Sequence, residues 1–220
     1  TRRGNDLICQ AGALLTKVCR RALEEHLGGL EWAYGIPGTV GGGICGNAGA
    51  FGSQLGDVLE RVEVLTRAGE ARVLRREELS FGYRCSSLQQ TGDVVVRAWF
   101  RVGEGDSSRA CAEREEILSM RREKHPDWRA LPTAGSFFKN LPPEQAGEHR
   151  RAAGRFLEEV GAKTMREGGA HVFEKHANIV IAGPGATARD VARLSARMAS
   201  AVQERFGFVL EPEVRFWGAV

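Results

Sequence analysis

Residues 134–140 place a hydroxyl at Ser136, an ammonium at Lys139 and an amide at Asn140 within one short aromatic segment. These groups are a proton donor, a positive charge and an orienting group. An isolated serine hydroxyl is a poor acid unless its neighbours stabilise the alkoxide. A turn or cap role for Ser136 is therefore the alternative to a catalytic one.

Two further segments carry charged groups suited to binding a small anion. Arg84 follows an aromatic pair in residues 81–86, and its planar guanidinium can bind a carboxylate through two hydrogen bonds. Glu213 lies between Glu211 and Arg215 near the C-terminus. From spacing alone, Arg84 can equally be a surface arginine at a strand end, and the carboxylates can form a solvated ion-pair network.

A third segment contains eight glycines between residues 35 and 52. Glycine is kept where φ must be positive or where a ligand lies against bare main chain. Successive amides of such a loop can hold a pyrophosphate, with neutral hydrogen bonds from Thr39 and Asn47. A flexible linker is the alternative, but rigid and apolar residues such as Ile36 and Pro37 argue against it. Neither the dinucleotide fingerprint nor the P-loop pattern is present.

The composition is that of a protein with two ordinary domains: 220 residues, 42% hydrophobic, with a net charge of +3. No apolar run is long enough for a membrane span, and no signal peptide is visible, so no membrane partner is expected. Scattered arginine pairs suit a small anionic ligand better than a nucleic acid. The five cysteines lack zinc spacing, which predicts no metal site and a reduced, cytoplasmic environment.

The elements that position these residues fall on either side of a polar stretch near residue 104. Before it, we predict a strand at 7–9, a helix ending before Gly28, a hairpin of 58–66 with 71–74, and a strand at 93–102. Few helices separate these strands, which favours a mixed or antiparallel sheet.

After residue 104 the pattern is helical, with two short strands. Ser107 or Ser108 is expected to cap a helix reaching Lys124, and further elements are predicted at 150–160, 170–172 and 178–182. Thr187 and Asp190 form an acidic variant of the capping box for a last helix that ends at Gly207. Residues 213–217 alternate like a terminal strand.

Taken in order, the motifs resemble the UDP-N-acetylenolpyruvoylglucosamine reductases, the MurB family of bacterial flavoenzymes. The resemblance spans nearly the whole chain. It is carried by residues 35–42 with 47–49, residues 81–86, residues 120–124 with Pro126, residues 134–140, residues 168–170 with 176–178, and residues 210–215 with Gly218.

The resemblance implies an α+β fold. An FAD-binding domain of the vanillyl-alcohol-oxidase (PCMH-like) type would span 1–104, and a smaller α/β substrate-binding domain would span 105–220. It implies FAD as the cofactor and NADPH as the hydride donor. The reaction would reduce UDP-N-acetylglucosamine enolpyruvate to UDP-N-acetylmuramate, in peptidoglycan precursor synthesis.

Two departures from the family pattern bear on this interpretation. The short interval between Arg84 and Lys124 resembles the family's second type, which lacks an extra tyrosine loop. The family also has a further N-terminal segment with its own phosphate-binding turn. This part of the FAD domain is expected to be absent from the sequence, either because the sequence is a fragment or because the protein has lost that segment. The alternative function is therefore a non-catalytic or degenerate UDP-sugar-binding module of the same family.

By resemblance, Ser136 is the donor of the proton added at C2, and Arg84 and Glu213 polarise the enolpyruvyl carboxylate. Family positions that touch or neighbour the substrate correspond to Tyr83, Arg121, Lys124 and Asn140. The flavin-binding stretch corresponds to Gly12, Ile36, Pro37, Gly38, Thr39, Gly42, Asn47, Ala48 and Gly49.

Overall fold

The structure is a computed structural model that describes residues 1–4, 6–145 and 147–218. The chain divides into two compact units, Thr1–Arg121 and Arg122–Val220. The division falls beyond residue 104, where the sequence predicts a boundary. The reason is that Ile117, on the helix after that boundary, is buried in the hydrophobic core of the first unit.

The first unit is built on a five-stranded sheet in which all neighbours are antiparallel, in the order β1-β2-β8-β6-β7. Two small two-stranded sheets, β3-β9 and β4-β5, accompany it. The strands are β1 (Arg2–Arg3), β2 (Asp6–Gln10), β3 (Leu27–Gly28), β4 (Gly49–Ala50), β5 (Ser53–Gln54), β6 (Leu59–Leu65), β7 (Ala71–Arg75), β8 (Val94–Arg101) and β9 (Gly103–Glu104).

The helices of this unit contribute buried side chains to one hydrophobic core with this sheet. They are α1 (Leu15–Glu24), α2 (Val40–Cys45), α3 (Leu55–Val58), α4 (Leu88–Thr91) and α5 (Ser107–Lys124), with 3₁₀ turns at Glu31–Ala33 and Arg76–Leu79. Strands β6 and β8 alternate, so that Val62, Ala98 and Phe100 enter one core with Leu15 of α1 and Ile44 of α2. The sheet is antiparallel, one of the two arrangements that the sequence favours, and the predicted β6–β7 hairpin is confirmed.

In the second unit a long helix packs against a three-stranded antiparallel sheet, β10-β11-β12, and a shorter helix packs against the long one. Its elements are α6 (Ala153–Glu159), a 3₁₀ turn (Ala162–Thr164), β10 (Arg166–Glu167), β11 (Ala170–Val172), β12 (Val180–Ala182) and α7 (Ala188–Phe206). Leu194, Met198 and Val202 of α7 are fully buried in a core that includes Phe137 and Phe138. The predicted capping box of Thr187 and Asp190 is present.

Two local predictions are wrong. Asp106, rather than Ser107 or Ser108, caps α5 from the position before its first residue, because its carboxylate accepts hydrogen bonds from the amides of Ser108 and Arg109 at 2.9 and 3.2 Å. Residues 213–217 do not form a strand. Their pairing stops near Glu213, after Pro212. Val214 packs against the core of the second unit, whereas Trp217 is fully exposed, so the alternation does not continue as a paired strand.

Candidate functional site

In the first unit, the glycine-rich segment is hydrogen-bonded to the loop that precedes α1. The amides of Val40 and Gly41 donate to the carbonyls of Ala13 and Ala11, at 2.8 and 2.9 Å, and the amide of Leu15 donates to Gly38 at 3.0 Å. The two stretches predicted to bind the flavin therefore form one continuous backbone surface.

Glycines in this surface serve two different purposes. At Gly41 an added Cβ would lie 2.9 Å from the Ala11 Cβ, and at Gly43 it would lie 2.8 Å from a Leu55 methyl, so these glycines allow close packing. At Gly12 and Gly38 an added Cβ would meet no atom within 4 Å. Both are exposed, as is Gly42, so bare main chain faces outwards there.

Some side chains of the glycine-rich segment make contacts inside the protein, and others are exposed. The Thr39 hydroxyl caps α2 by accepting from the Gly42 amide at 3.3 Å, and its hydrogen remains available to donate. Ile36 packs against the core, whereas Pro37 is exposed. The parts of the segment that can meet a ligand are therefore the exposed main chain around Pro37 and Gly38 and the Thr39 hydroxyl.

Asn47 is a fully buried hub of the first unit, and the sequence did not predict this role. Its side-chain NH₂ donates to Gln54 and to the carbonyl of Gly82, both at 2.9 Å, and its oxygen accepts from the Gly56 amide at 3.0 Å. Both amide hydrogens are used inside the protein. Asn47 therefore fixes the shape of the loop, and neighbouring Ala48 and Gly49 are likewise held by backbone hydrogen bonds and by β4 pairing.

Arg84 lies in a tight turn that is joined to the glycine-rich segment. Gly82 and Cys85 exchange backbone hydrogen bonds of 3.1 and 3.3 Å across the turn, and Asn47 holds the Gly82 carbonyl. Ser86 and Gln89 both donate to the carbonyl of Cys45, at 2.8 and 2.9 Å. The predicted anion-binding arginine and the predicted cofactor loop consequently belong to one rigid assembly.

The backbone of Arg84 is left-handed, with φ of +55°. Few residues other than glycine and asparagine adopt this conformation, and it is most often found in strained or functional positions. The guanidinium lies over the Tyr83 ring, 5.2 Å from its centroid. This contact orients the cation and places the two predicted site residues side by side.

Arg121, at the end of the first unit, has its side chain packed against Gly35. A Cβ at Gly35 would lie 2.7 Å from the Arg121 Cδ, so glycine is required there. The guanidinium lies 5.6 Å from the Phe51 ring centroid, and its buried Nε has no hydrogen-bond partner among the described residues. Burial lowers the pKa of Arg121. An anionic ligand would supply the missing acceptor.

In the second unit, Ser136 lies on an extended segment between two other stretches of chain. It forms an isolated antiparallel bridge with Ile179, and the amide of Phe137 donates to the Asn178 carbonyl at 2.7 Å. On the other side, the Glu213 amide donates to the Phe137 carbonyl at 2.7 Å. The backbones of Ser136 and Glu213 are therefore neighbours, as the sequence hypothesis requires of two residues acting on one ligand.

Asn140 and Lys139 are held at the end of the same segment. Both Nε and an Nη of Arg150 donate to the Asn140 carbonyl, at 3.2 and 2.7 Å, and the Ala153 amide donates to its side-chain oxygen at 3.2 Å. Lys139 forms an ion pair with Glu211. Lys124, by contrast, is exposed at the end of α5.

Comparison with known proteins identifies the family. Residues 125–217 match the C-terminal domain of UDP-N-acetylenolpyruvoylglucosamine reductase, and residues 2–75 match an FAD binding domain. The reductase of Geobacillus kaustophilus is 41% identical over 217 residues, which cover 99% of this chain and 68% of that protein. The chain belongs to the UDP-N-acetylenolpyruvoylglucosamine reductase family.

Two other reductases support the assignment. The UDP-N-acetylenolpyruvoylglucosamine reductase of Thermotoga maritima is 38% identical over 215 residues, covering 98% of this chain and 72% of its own length. A crystal structure of the reductase from Thermus caldophilus superposes with a TM-score of 0.82 at 34% identity, covering 99% of this chain and 74% of that chain. The expected α+β fold of the family is confirmed.

FAD fits the exposed backbone surface of the first unit. Its pyrophosphate is anionic, and the open main chain at Gly12, Gly38 and Gly42 has no side chain that would exclude it. Among the described residues, no group of three or more His, Cys, Asp or Glu side chains could hold a metal ion. In the same part of the chain, no helix is both long and apolar enough to cross a membrane.

Proposed function

We propose that this protein reduces UDP-N-acetylglucosamine enolpyruvate to UDP-N-acetylmuramate, with NADPH as the hydride donor, in peptidoglycan precursor synthesis. Membership of the reductase family supports the reaction as a whole. Bound FAD would accept a hydride from NADPH and pass it to C3 of the enolpyruvyl group. The protein itself must then bind both ligands, orient the enolpyruvyl group and supply a proton at C2.

The observation that carries the proposal is the pairing of Ser136 and Glu213 through the backbone of Phe137. The Glu213 amide donates to the Phe137 carbonyl at 2.7 Å, so the two candidate side chains stem from adjacent strands of backbone. Ser136 is half-buried, and its hydroxyl makes no hydrogen bond to another described residue. Its proton is therefore available to a ligand.

The charged residues complete the chemistry. Hydride addition to an enol ether needs an electron sink, and the carboxylate next to the double bond serves as one when it is clamped. We assign this clamping to Arg84 and Glu213, and the protonation of C2 to Ser136. The fixed, left-handed turn of Arg84 supports a preorganised charge at that position.

Substrate binding is assigned to Tyr83, Arg121, Lys124 and Asn140. In the part of the chain that the structure describes, the buried Nε of Arg121 has no acceptor, and such a donor suits a diphosphate or carboxylate oxygen. Asn140 is held by Arg150 and by the start of α6, so its side chain is fixed in orientation. The cofactor would lie along Gly12, residues 36–39 and Gly42, with Asn47, Ala48 and Gly49 shaping the loop.

A cytoplasmic location agrees with this proposal. All five cysteines lie in the described part of the chain and are free, so no disulfide links Cys9, Cys19, Cys45, Cys85 or Cys111. Reduced thiols are usual in the cytoplasm, where NADPH and nucleotide sugars are also found.

Stopped-flow flavin absorbance tests the proposal by separating the two half-reactions. We expect the protein to bind FAD, to be reduced by NADPH, and to be reoxidised by the enolpyruvyl UDP-sugar. Ser136→Ala should slow reoxidation by at least about 10²-fold while NADPH-driven reduction stays within about twofold. Ser200→Ala, at an exposed position of α7, is the matched control and should change neither rate.

Equal loss of both half-reactions in Ser136→Ala would contradict the role of Ser136 as proton donor. Reduction of the flavin without any reoxidation by the UDP-sugar, in the wild-type protein, would contradict the proposed function itself. Binding of the UDP-sugar without turnover would then favour the non-catalytic binding module.

A further inference from the structure

The segment that carries Ser136 is held in place by Asn178. This side chain is 2% exposed and pairs with both backbone groups of Phe138. Its oxygen accepts from the Phe138 amide at 2.9 Å, and its NH₂ donates to the Phe138 carbonyl at 2.8 Å. The Asn178 carbonyl also accepts from the Phe137 amide at 2.7 Å. Asn178 thus replaces a neighbouring strand over two residues beside Ser136.

Asn178 is held in turn by His176. The amide of Asn178 donates to Nδ1 of His176 at 3.2 Å, so this nitrogen must be unprotonated and the ring proton lies on Nε2. The ring lies beside α6, where a Cβ at Gly154 would be 3.4 Å from Cε1, and 5.7 Å from the ring of His125. The neutral imidazole is enclosed on both sides.

The charges that face His176 come from two helices. Glu158, near the end of α6, forms an ion pair with Lys163, in the turn after α6. Their charges shift the pKa of the His176 ring in opposite directions. Lys124, at the end of α5, adds a positive charge, and His125 follows it. Burial is the largest influence and lowers the pKa of His176 below its ordinary value of 6.5.

We propose that His176 and Asn178 are positioning residues that set the location of the Ser136 hydroxyl for the proton transfer. The inference rests on the proposed function, because it concerns the same step. The neutral His176 ring holds the Asn178 backbone through a hydrogen bond, and the Asn178 side chain holds the backbone of Phe138. Phe138 lies on the same extended segment as Ser136, so these contacts hold the position of Ser136. A displacement of about 1 Å in such a group can cost about 10²-fold in rate.

The first test uses Asn178→Asp, which keeps the size of the side chain. The ionised carboxylate of this variant cannot donate to the Phe138 carbonyl, whereas the protonated acid can both donate and accept. Burial raises the pKa of such a carboxyl. We expect flavin reoxidation by the UDP-sugar to be slowed about 10²-fold at pH 8 and to recover at least about tenfold, relative to wild type, as the pH is lowered. NADPH-driven reduction should be unchanged.

The second test exchanges His176 while keeping or removing its acceptor. His176→Asn can place an oxygen near the position of Nδ1 and does not titrate in this range, whereas His176→Leu has no acceptor. We expect His176→Asn to retain reoxidation within about threefold and His176→Leu to lose about tenfold or more. In wild type, reoxidation should fall at pH values below 6.5, where His176 becomes protonated, and His176→Asn should lack this fall.

A measurement without cofactor or substrate checks the geometry directly. Long-range ¹H–¹⁵N NMR spectra of the protein should show His176 as the Nε2-protonated tautomer at neutral pH, and the signal of Asn178 should shift as the ring titrates. Protonation on Nδ1 at neutral pH would overturn the inference.

These outcomes separate the inference from the proposed function. Wild-type protein that is not reoxidised by the UDP-sugar would show that the proposed function is wrong. Wild-type protein that turns over, with Asn178→Asp and His176→Leu reoxidised at wild-type rates, would show that the two residues do not position Ser136. A loss in Asn178→Asp that does not recover at low pH would also contradict the inference.

Discussion

Arg84 combines a strained backbone with a charged side chain. A left-handed conformation costs a residue other than glycine about 1–2 kcal/mol. The turn from Gly82 to Cys85 is closed by two backbone hydrogen bonds, and its third position, which is Arg84, is one that type II turns usually give to glycine or asparagine. An arginine there lowers stability, and a binding role for its guanidinium explains why this residue is tolerated.

Arg84→Gly should therefore separate stability from activity. The free energy of unfolding should stay the same or rise by up to about 1 kcal/mol, because the released strain is partly offset by the greater freedom of glycine in the unfolded chain. Reoxidation by the UDP-sugar should fall at least about 10²-fold, since a preorganised charge is removed. Urea denaturation and stopped-flow absorbance measure the two effects.

The control for this prediction is Ser80→Gly. Ser80 is also left-handed, with φ of +43°, and is exposed at the end of a 3₁₀ turn. It should gain stability to a similar degree without losing activity. A clear loss of stability in Arg84→Gly would show that contacts of the arginine side chain within the protein, rather than ligand binding, account for its presence in the turn.

At the scale of elements, α7 depends on its capping box. The Thr187 hydroxyl accepts from the Asp190 amide at 3.2 Å, and the Asp190 carboxylate accepts from the Thr187 amide at 2.8 Å. Hydrogen bonds that the carboxylate accepts from the Thr187 amide, from the Thr187 side chain and from the Gly169 amide hold the pKa of Asp190 below its ordinary value of 3.8. A carboxyl with a lowered pKa stabilises the folded state above its unfolded pKa, and this contribution disappears as the pH falls through its folded pKa.

Asp190→Asn should consequently destabilise the protein at pH 7 but not at low pH. The difference in free energy of unfolding between variant and wild type should shrink as the pH is lowered below 3.8. Urea denaturation at several pH values measures it. Glu204→Gln, at an exposed carboxylate near the other end of α7, should show no such loss at pH 7. A difference for Asp190→Asn that does not depend on pH would argue against the charge as its source.

Helix α2 contains glycines of two kinds, which allows a second test at this scale. Gly43→Ala should destabilise the protein, because the new methyl would lie 2.8 Å from Leu55 and 3.0 Å from Leu15, and overpacking costs about 1–3 kcal/mol. Gly42→Ala should stabilise it by about 0.5–1 kcal/mol, since the position is exposed and alanine favours helix. Chemical denaturation measures both.

The same pair tests where FAD binds. Fluorescence titration should show that Gly42→Ala weakens FAD binding at least about tenfold, or about 1.4 kcal/mol, because its methyl covers bare main chain. Under conditions in which Gly43→Ala remains folded, its affinity for FAD should be closer to that of the wild type than the affinity of Gly42→Ala is. Unchanged binding in Gly42→Ala would show that the exposed edge of α2 is not the cofactor surface.

Sequence patterns predicted the elements that local signals define. The turn at residues 67–70 and the alternation of Val62 and Val64 define the hairpin, and Thr187 with Asp190 defines the start of α7. Residues 213–217 alternate as well, but their pairing with the segment around Phe137 ends near Glu213, and no local pattern reveals where it ends. The glycine-rich segment was predicted as an anion-binding loop, and the helix inside it was missed because glycine disfavours helix.

The candidate site was predicted from residue types, but its supporting contacts were not. Ser136, Arg84 and Glu213 stand out because their groups can transfer or bind charge. Asn47 and Asn178 act by joining segments that are 35 and 40 residues apart. Such pairings depend on the tertiary fold, so one sequence contains no local signal for them.

At the scale of the molecule, the described residues form two large hydrophobic cores that share no residue, and a third, small cluster of Phe173, Ile179 and Ile181. The first includes Leu15, Val62 and Phe100, and the second includes Leu157 and Leu194. A separate core is what allows a unit to open on its own.

Core substitutions should therefore act on one unit at a time. Leu194→Ala removes a fully buried side chain from the second core and should cost about 2–5 kcal/mol, as should Leu15→Ala in the first. In amide hydrogen exchange, Leu194→Ala should lose protection across α6, α7 and β10–β12, and Leu15→Ala across β2, β6 and β8. If either variant lost protection equally in both units, the chain would unfold as one cooperative body, because opening one core would then require opening the other.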